Sequence, residues 1–323
     1  MLTPAQVLSA LPVALESVHM PRVALQRGQV RDNFDLPDGR RVIISTDRFT
    51  VFGRQVGLVP YKGQVLNQLT NWWFEHTADI LPNHVIDVPD PNVTIALTAT
   101  PLPIAVVVRG YLSGVTATSL WAQYEAGRRV IYGVEFPDGL HKNQELPHPI
   151  VTAAAKRFGR VHERPLTQAE VMALGVHPAL WERIQEAALQ LFLRGRQLCL
   201  LADLILVDSK YEFGLDLNGD LLLIDELHTP DSSRFWRAAT YAERLWAGQE
   251  PEHFDREFVR LWYRAQGYAE GDALPPLTPE LIVAVSQRYQ RVYERITGHL
   301  FQPASYPAHK RIAVALRYAQ VVG

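Results

Sequence analysis

The feature that most constrains this chain is a predicted β-hairpin whose two strands begin apolar and end charged. Residues 204–207 and 221–224 are apolar runs, joined through turn-forming residues at 216–219. Charged residues follow both runs: Asp208, Lys210 and Glu212 after the first, and Asp225, Glu226, Asp231 and Arg234 after the second. Because the runs are apolar enough to be core strands, the hairpin sets its charges at the rim of a core.

Alternation along a strand places Asp208, Lys210 and Glu212 on one face of the hairpin. Carboxylates from adjacent strands can chelate magnesium that bridges phosphate oxygens, and a lysine can neutralise the remaining charge. The alternative is a solvated edge hairpin whose charges form weak surface pairs. The apolar flanks favour a functional site over that alternative.

Composition restricts the class of protein. The 323 residues are 47% hydrophobic and 20% charged, which is typical of a globular protein with a sizeable core. A net charge of −2 without basic runs argues against binding to nucleic acid, and no apolar stretch predicts secretion or a membrane span. We therefore expect a cytoplasmic enzyme, with an interaction protein as the alternative, and oligomeric state, including a homo-oligomer, is left open.

Other motif classes are not supported. The single cysteine, Cys199, lies in an apolar run and predicts a buried, inert thiol. The eleven histidines do not follow zinc-site spacing, and neither a Gly-Lys-Ser/Thr phosphate loop nor a dinucleotide-binding fingerprint occurs.

Periodicity predicts the remaining elements. They are a helix over 3–15, a strand over 41–46, a helix around 65–73, a buried strand over 104–108, a helix over 178–201, and a helical layer from Asp255 onward. Residues 134–164 are rich in Pro, Gly and His, so we expect a long irregular connection there and a candidate active-site lid.

Two long motifs resemble the signature of the phosphoribosylaminoimidazole-succinocarboxamide synthase (SAICAR synthetase) family. They are VDSKYEFG at 207–214 and IDELHTPDSSRFW at 224–236. Shorter matches lie at 28–32, 46–48, 61–67, 107–111, 138–140 and 143–144, so the resemblance covers roughly residues 20 to 300.

The resemblance implies an α+β, two-lobed fold. Its parts would be a β-rich N-terminal lobe over 1–112, a central ATP-grasp-like α/β lobe with the carboxylate hairpin over 113–250, and C-terminal helices over 251–323. It also implies an ATP- and Mg²⁺-dependent ligase that joins carboxyaminoimidazole ribotide to L-aspartate through an acyl phosphate. Such catalysis is mostly positioning and charge neutralisation.

The family's residue roles carry over where the motifs match. Glu212 and Asp225 would hold the metal, with support from Glu226. The nucleotide side would contain Gly28, Gln29, Arg31 and Lys156. The ribotide side would contain Arg109, Ser119, Asp208, Lys210, Ser232 and Arg234, of which Lys210, Asp208 and Arg234 would be catalytic.

The chain departs from the family pattern on the expected nucleotide side. Gln29 replaces a lysine, Gly53 replaces an aspartate, Ala105 replaces a glutamate, and the loop over 152–163 is altered although Lys156 and His162 remain. Three interpretations follow: an ordinary synthase compensated by Arg31, Arg54 or Arg157, a paralogue that ligates another carboxylate and amine, or a non-catalytic nucleotide- or ribotide-binding protein. The retained Glu212 and Asp225 favour the first.

Overall fold

The computed structural model describes residues 1–156, 165–269 and 271–321, and it has an α+β fold. Its helices are α1 (Pro4–Ala10), α2 (Lys62–Glu75), α3 (Leu120–Glu125), α4 (Gln168–Ala173), α5 (Pro178–Leu201), α6 (Ala238–Trp246), α7 (Glu257–Ala265), α8 (Pro279–Thr297) and α9 (Ala308–Tyr318). Its strands are β1 (Gln26–Arg27), β2 (Arg31–Asp35), β3 (Arg40–Ser45), β4 (Arg48–Val51), β5 (Arg54–Leu58), β6 (Val85–Asp90), β7 (Val93–Leu97), β8 (Thr100–Tyr111), β9 (Val130–Ile131), β10 (Val134–Glu135), β11 (Glu145–Ala155), β12 (Pro165–Leu166), β13 (Leu204–Leu215), β14 (Leu221–Ile224) and β15 (Ser233–Arg237).

The N-terminal sheet has the strand order β1-β2-β3-β7-β6, and all its pairings are antiparallel. Phe34, Val42 and Ile44 point from this sheet into a core that is closed by Ile312 and Leu316 of α9. The apolar alternation of β3 therefore buries one face of the sheet against the C-terminal helix, as period-two patterning requires.

The central sheet has the order β12-β11-β8-β13-β14, and β15 also pairs with β13. Helix α5 covers it, and Leu191 and Phe192 pack into the same core as Val106, Val108 and other side chains of the sheet. Burial of these apolar side chains supplies the main stabilisation, at roughly 25 cal/mol per Å² removed from water. The strand that carries Asp208 and Glu212 is thus held by neighbours on both sides.

A third layer joins the C-terminal helices to the N-terminal part of the chain. Val259 and Tyr263 of α7 and Val285 and Tyr289 of α8 share a core with Leu66 of α2 and residues of β4 and β5. The predicted helical layer after Asp255 is confirmed by α7, α8 and α9.

The opening helix and the carboxylate hairpin agree closely with their predictions. Thr3 caps α1 through a capping box with Gln6, and a 3₁₀ turn (Leu11–Val13) continues the element. In the hairpin turn, the Asp216 carboxylate accepts hydrogen bonds from the backbone N–H groups of Asn218 and Asp220 at 2.9 and 2.8 Å.

Cys199 is fully buried, and burial raises the pKa of its thiol above the usual range.

The prediction of one irregular connection over 134–164 is wrong for its central part. Residues Glu145–Ala155 form β11, which pairs with β8 through most of its length. The two prolines that suggested a loop, Pro147 and Pro149, fall within a register shift between Glu145 and Ile150, where ladder hydrogen bonds are interrupted anyway. Residues 157–164, including Arg157 and His162, lie outside the described residues.

Within the described ranges, every helix is too short or too polar to cross a membrane. The lobe boundary at residue 112 stays a prediction. Strand β8 lies on the N-terminal side of that boundary, and it pairs with β11 and β13 of the central sheet.

Candidate active site

Three neighbouring strands bring Arg109, Asp208 and Arg234 into one row. Asp208 in β13 lies opposite Arg109 in β8 and opposite Arg234 in β15. Directly opposite residues on adjacent strands share a face of the sheet, so the carboxylate lies between two guanidinium groups. The structure therefore brings together three of the residues that the resemblance assigned to the ribotide.

Arg234 is held on two sides by carboxylates. It forms an ion pair with Asp208, and its Nε lies 3.5 Å from Oε2 of Glu257 at the start of α7. Burial alone would lower the pKa of Arg234, but Asp208 and Glu257 outweigh it and raise the pKa above its usual range. The guanidinium is permanently charged and its orientation is fixed before any ligand binds.

Ser119 lies beside Arg234, and Gly114 makes this approach possible. A Cβ on Gly114 would lie 2.5 Å from the Ser119 Cβ and 2.6 Å from Arg234 Nη2, and its φ is +99°. Only glycine fits both the space and the left-handed backbone. The Ser119 side chain also caps α3, accepting from the backbone N–H of Ala122, and it donates to the Thr116 carbonyl at 2.7 Å.

Arg109 has weaker partners than Arg234. Its Nε donates to Thr152 at 3.4 Å, and its guanidinium lies over the Tyr132 ring, 5.2 Å from the centroid. Burial is the largest effect on Arg109 and lowers its pKa. Among the described residues, Arg109 forms no ion pair, so this partly buried cation is set to accept an anion from outside the chain.

Glu212 and two lysines form a second cluster at the other end of the face. Glu212 pairs with Lys156, and Lys210 Nζ lies 2.8 Å from Glu212 Oε1. Burial alone would raise the pKa of Glu212, but the two ammonium groups hold it below its usual range. Ala105 lies opposite Glu212 on β8, so the glutamate that the family carries there would add a second negative charge at this point.

Asp225 and Glu226 meet Arg31 from the N-terminal sheet. Arg31 pairs with Asp225, and its Nη2 lies 2.8 Å from Glu226 Oε2. Asp225 follows the last residue of β14 and has a φ of +71°, an uncommon conformation for a non-glycine residue that is typical of functional sites. Burial, and then the nearby Glu212 and Glu226 carboxylates, raise the pKa of Asp225 to about 6 despite the nearby Arg31.

The loop at Gly28 and Gln29 is held through its backbone. Arg48 donates to the carbonyls of Gln29 at 3.2 Å and Gly28 at 3.1 Å, and Arg48 itself pairs with buried Asp32 at 2.8 Å. The Gln29 side chain is exposed. Buried charges therefore fix the backbone of this loop, whereas the side chain of Gln29, which replaces the family's lysine, faces solvent.

Two other sequence positions take structural roles. Ser232 accepts a hydrogen bond from Thr229 N, and its carbonyl accepts one from Lys210 N at 2.9 Å, so its backbone lies against Lys210. Gly53 has a φ of +69° in the two-residue turn between β4 and β5. That turn favours glycine, which gives a conformational reason for the missing family aspartate.

Sequence reasoning missed Glu257 and the buried charges around Asp231. Glu257 accepts from Val115 N at 2.9 Å and from Arg260 at 2.7 Å, in addition to contacting Arg234. Lys62 Nζ lies 2.6 Å from Asp231 Oδ2, and Tyr289 donates to Asp231 Oδ1 at 2.7 Å. The i,i+3 pair at the start of α7 was a detectable signal for Glu257, whereas the contact across 169 residues between Lys62 and Asp231 had none.

Within the described ranges, no group of three or more His, Cys, Asp or Glu residues has metal-site geometry. A magnesium ion needs fewer protein ligands, because it binds through one or two carboxylates plus substrate phosphates and water. Glu212, Asp225 and Glu226 offer carboxylate oxygens, which is the ligand type that Mg²⁺ takes, and each now pairs with a cation of this chain.

Comparison with known proteins gives a consistent result. The chain is 48% identical to the putative phosphoribosylaminoimidazole-succinocarboxamide synthase 2 of Agrobacterium fabrum, over 86% of this chain and 88% of that protein. It is 46% identical to the phosphoribosylaminoimidazole-succinocarboxamide synthase of Legionella pneumophila strain Lens, over 92% of this chain and 95% of that protein. Its fold matches the solved SAICAR synthase of Saccharomyces cerevisiae in complex with SAICAR, with a TM-score of 0.76, 26% identity, and coverage of 90% of this chain and 100% of that one. A family model for SAICAR synthetase matches residues 24–275, and the chain therefore belongs to the SAICAR synthetase family.

Proposed function

We propose that this protein is a phosphoribosylaminoimidazole-succinocarboxamide synthase of purine biosynthesis. It uses ATP to join the carboxylate of carboxyaminoimidazole ribotide to the amine of L-aspartate. Family membership supports the reaction class. The observation that carries the assignment is the row of Arg109, Asp208 and Arg234 on the same hairpin face as Glu212.

The reaction has two steps and needs no protein nucleophile. The ribotide carboxylate attacks the γ-phosphorus of ATP, which forms an acyl phosphate and releases ADP. The aspartate amine then attacks the acyl carbon, the C–O bond to phosphate breaks, and the amine loses a proton as inorganic phosphate leaves. The protein contributes orientation and charge neutralisation.

The ribotide binds at the arginine row in this proposal. Arg109 and Arg234 receive its anionic groups, because a guanidinium matches phosphate and carboxylate oxygens bidentately. Ser119 and Ser232 add hydroxyl groups at the edge of this site. Asp208 fixes Arg234 through an ion pair, and Lys210 neutralises the negative charge that develops on the transferred phosphoryl group.

The nucleotide binds at the other end of the same face. Gly28, Gln29 and Arg31 approach from the N-terminal sheet, and Lys156 approaches from the end of β11. Glu212 and Asp225 would hold Mg²⁺, which when bound screens the phosphate charges and favours phosphoryl transfer. Lys156 and Lys210 pair with Glu212, which places two ammonium groups beside the proposed metal position, within reach of phosphate oxygens.

The three-part division at residues 112 and 250 is part of the same proposal, with the nucleotide between the lobes. A cytoplasmic location agrees with a free, buried cysteine.

The test is phosphate release by the purified protein with ATP, Mg²⁺, carboxyaminoimidazole ribotide and L-aspartate, with each component omitted in turn. We expect turnover only with the complete mixture, and a product whose mass equals that of the ribotide plus aspartate minus water. Turnover with a different amine or carboxylate would instead support the paralogue. Absence of turnover with retained ribotide binding would support the binding protein.

A further inference from the structure

A cleft outside the proposed catalytic site lies between α6, α7, α8 and the segment that precedes α7. It has a volume of about 450 Å³, which is within the size range of small-molecule sites. None of the residues that line it belongs to the proposed nucleotide or ribotide sites.

The cleft combines an apolar wall with a cationic rim. Phe258, Leu261 and Trp262 of α7 line the cleft, beside the more deeply buried Val259 and Tyr263 of the same helix. The rim carries three arginines, which are Arg244 of α6 and Arg288 and Arg291 of α8. An aromatic wall beside guanidinium groups suits a flat ring that bears an anionic substituent.

The two carboxylates of the cleft offset only part of this charge, because each also has a cationic partner outside the arginine rim, although Glu252 lies near enough to Arg288 to raise its pKa. Glu250 pairs with Lys142 and accepts from Asn143 at 3.1 Å, while Glu252 lies 3.7 Å from Arg237 and accepts from Thr240 at 3.1 Å. The arginines therefore supply the net positive charge of the cleft.

The arginines also keep free donors. Arg288 stacks on Phe258, 3.7 Å from the ring centroid, and its Nε and Nη1 donate to the carbonyls of His253 and Ala284. Its Nη2 is left for a ligand. Arg291 is exposed and has neither an ion pair nor a hydrogen bond within the described part of the chain. Burial, and then the proximity of Arg291, lower the pKa of Arg288. The two guanidinium groups repel each other, and a bound anion would relieve that repulsion.

We propose that this cleft is a second ligand site that binds a phosphorylated ring compound of nucleoside monophosphate size. The ring packs on Phe258 and Trp262, and the phosphate lies between Arg288 and Arg291. The site is independent of the proposed catalytic function, because it uses different residues.

The experiment uses adenosine 5′-monophosphate as the probe, with the full-length protein. Photolabelling with 8-azidoadenosine 5′-monophosphate in the presence of saturating Mg-ADP locates the site, and peptide mapping should find the label on the segment that contains Phe258 and Trp262. Label confined to other peptides would overturn the proposal.

Calorimetry with the same nucleotide then tests the chemistry. We expect Arg291→Ala to weaken cleft binding by about tenfold, the loss of one charge-assisted contact. Arg183→Ala, which removes an exposed arginine of α5, should leave binding unchanged. Adenosine and inorganic phosphate should each bind more weakly than the nucleotide. Equal affinity of Arg291→Ala and the unmodified protein would contradict the assignment.

Discussion

The two ends of the hairpin face contain similar charged groups that differ in their exposure to solvent. At the Asp208 end, Arg234 and its partners Asp208 and Glu257 are 11%, 12% and 2% exposed. At the Glu212 end, Lys210 and Asp225 are each about one-third exposed, at 34% and 32%. Asp208 and Glu212 are four residue steps apart on an extended strand, or roughly 13 Å. One strand thus connects a closed charge network to a partly open one, in which Glu212 and Arg31 are still covered, at 13% and 9% exposed.

The difference indicates how the two ends meet their ligands. The Asp208 network is hydrogen-bonded and rigid, so it is already organised for a substrate of fixed shape. At the Glu212 end, burial and then the nearby Glu212 and Glu226 carboxylates raise the pKa of Asp225, despite the nearby Arg31. At the Glu212 end, a metal-bound nucleotide would complete the charge network. At the Asp208 end, the ribotide would bind to side chains that are already held in place.

The largest expected effect comes from removing the unpaired cation of the closed end. Arg109→Ala should lower kcat/KM for the ribotide by about 100-fold, since truncating a partly buried charge that meets a charged ligand costs several kcal/mol. Arg109→Lys should recover part of the activity because it keeps the charge but not the fork. Steady-state kinetics with the ribotide varied measures both, and an unchanged KM in Arg109→Ala would place the ribotide elsewhere.

The next effect concerns the open end. Glu212→Gln and Asp225→Asn should each abolish measurable Mg-ATP binding in calorimetry, because each removes metal-ligand charge while preserving side-chain shape. Ribotide binding should remain in both variants, which separates the two ends. Unchanged Mg-ATP affinity in both would mean that these carboxylates are structural.

Glu257 tests whether the closed end depends on the C-terminal helices. Burial alone would raise the pKa of Glu257, but Arg234 and Arg260 hold it below its usual range, so its negative charge is secure. Glu257→Gln keeps the acceptor for Val115 N and loses the charge that orients Arg234. We expect an increase in ribotide KM of about tenfold with ATP KM unchanged. Glu280→Gln, at an exposed position of α8, is the matched control.

The sequence alone predicted the strands and the charged residues of the hairpin, but it did not predict all the strands that pair around it. Local patterning identified β13, β14 and α5, because apolar runs and a turn are encoded by neighbouring residues. Strand β11 was missed because Pro147 and Pro149 interrupt its pattern, and only the pairing with β8 shows that they occupy a register shift.

In the candidate site, too, the sequence identified the residues but not the contacts between them. Asp208, Arg109 and Arg234 were named from motifs, and the strand register then placed them in one row. The resemblance also named Arg31, but its contact with Asp225 spans 194 residues and could not be inferred from spacing. Long-range contacts of this kind depend on how the sheets pack, and a single sequence carries no direct signal for them.

The pH dependence of nucleotide binding should be confined to the open end. With the pKa of Asp225 raised to about 6, protonation below that pH removes a metal ligand, so Mg-ATP affinity should fall as pH drops from about 7 to about 5. The pH dependence that Asp225 gives to the stability of the unliganded protein has the opposite sign. Because the folded protein binds this proton more tightly than the unfolded chain, the contribution of Asp225 to stability decreases as pH rises from about 4 to about 6.

Calorimetric titrations at several pH values measure the first effect. Arg234 at the arginine row keeps its charge over this range because its pKa lies above its usual range, so a pH dependence of ribotide binding there would come from the ribotide phosphate, whose second pKa is about 6. A Mg-ATP affinity that is constant from pH 5 to 7 would contradict the assignment of Asp225 as a metal ligand.

The smallest expected effect belongs to Gln29, the clearest departure from the family pattern at the open end. A lysine in a partly screened cleft would contribute on the order of 1 to 3 kcal/mol to phosphate binding, but the Gln29 side chain is exposed, so screening by water and salt favours the lower end of that range. Gln29→Lys should therefore tighten ATP binding by roughly five- to tenfold at low salt, and less at physiological ionic strength. Its backbone should stay in place, because Arg48 holds the Gln29 carbonyl rather than the side chain. Arg27→Gln, which changes exposed charge one residue before Gly28, is the control for a general electrostatic effect. A gain that persists undiminished at high salt would show a close phosphate contact, and no gain at any salt concentration would place the nucleotide away from the Gly28 loop.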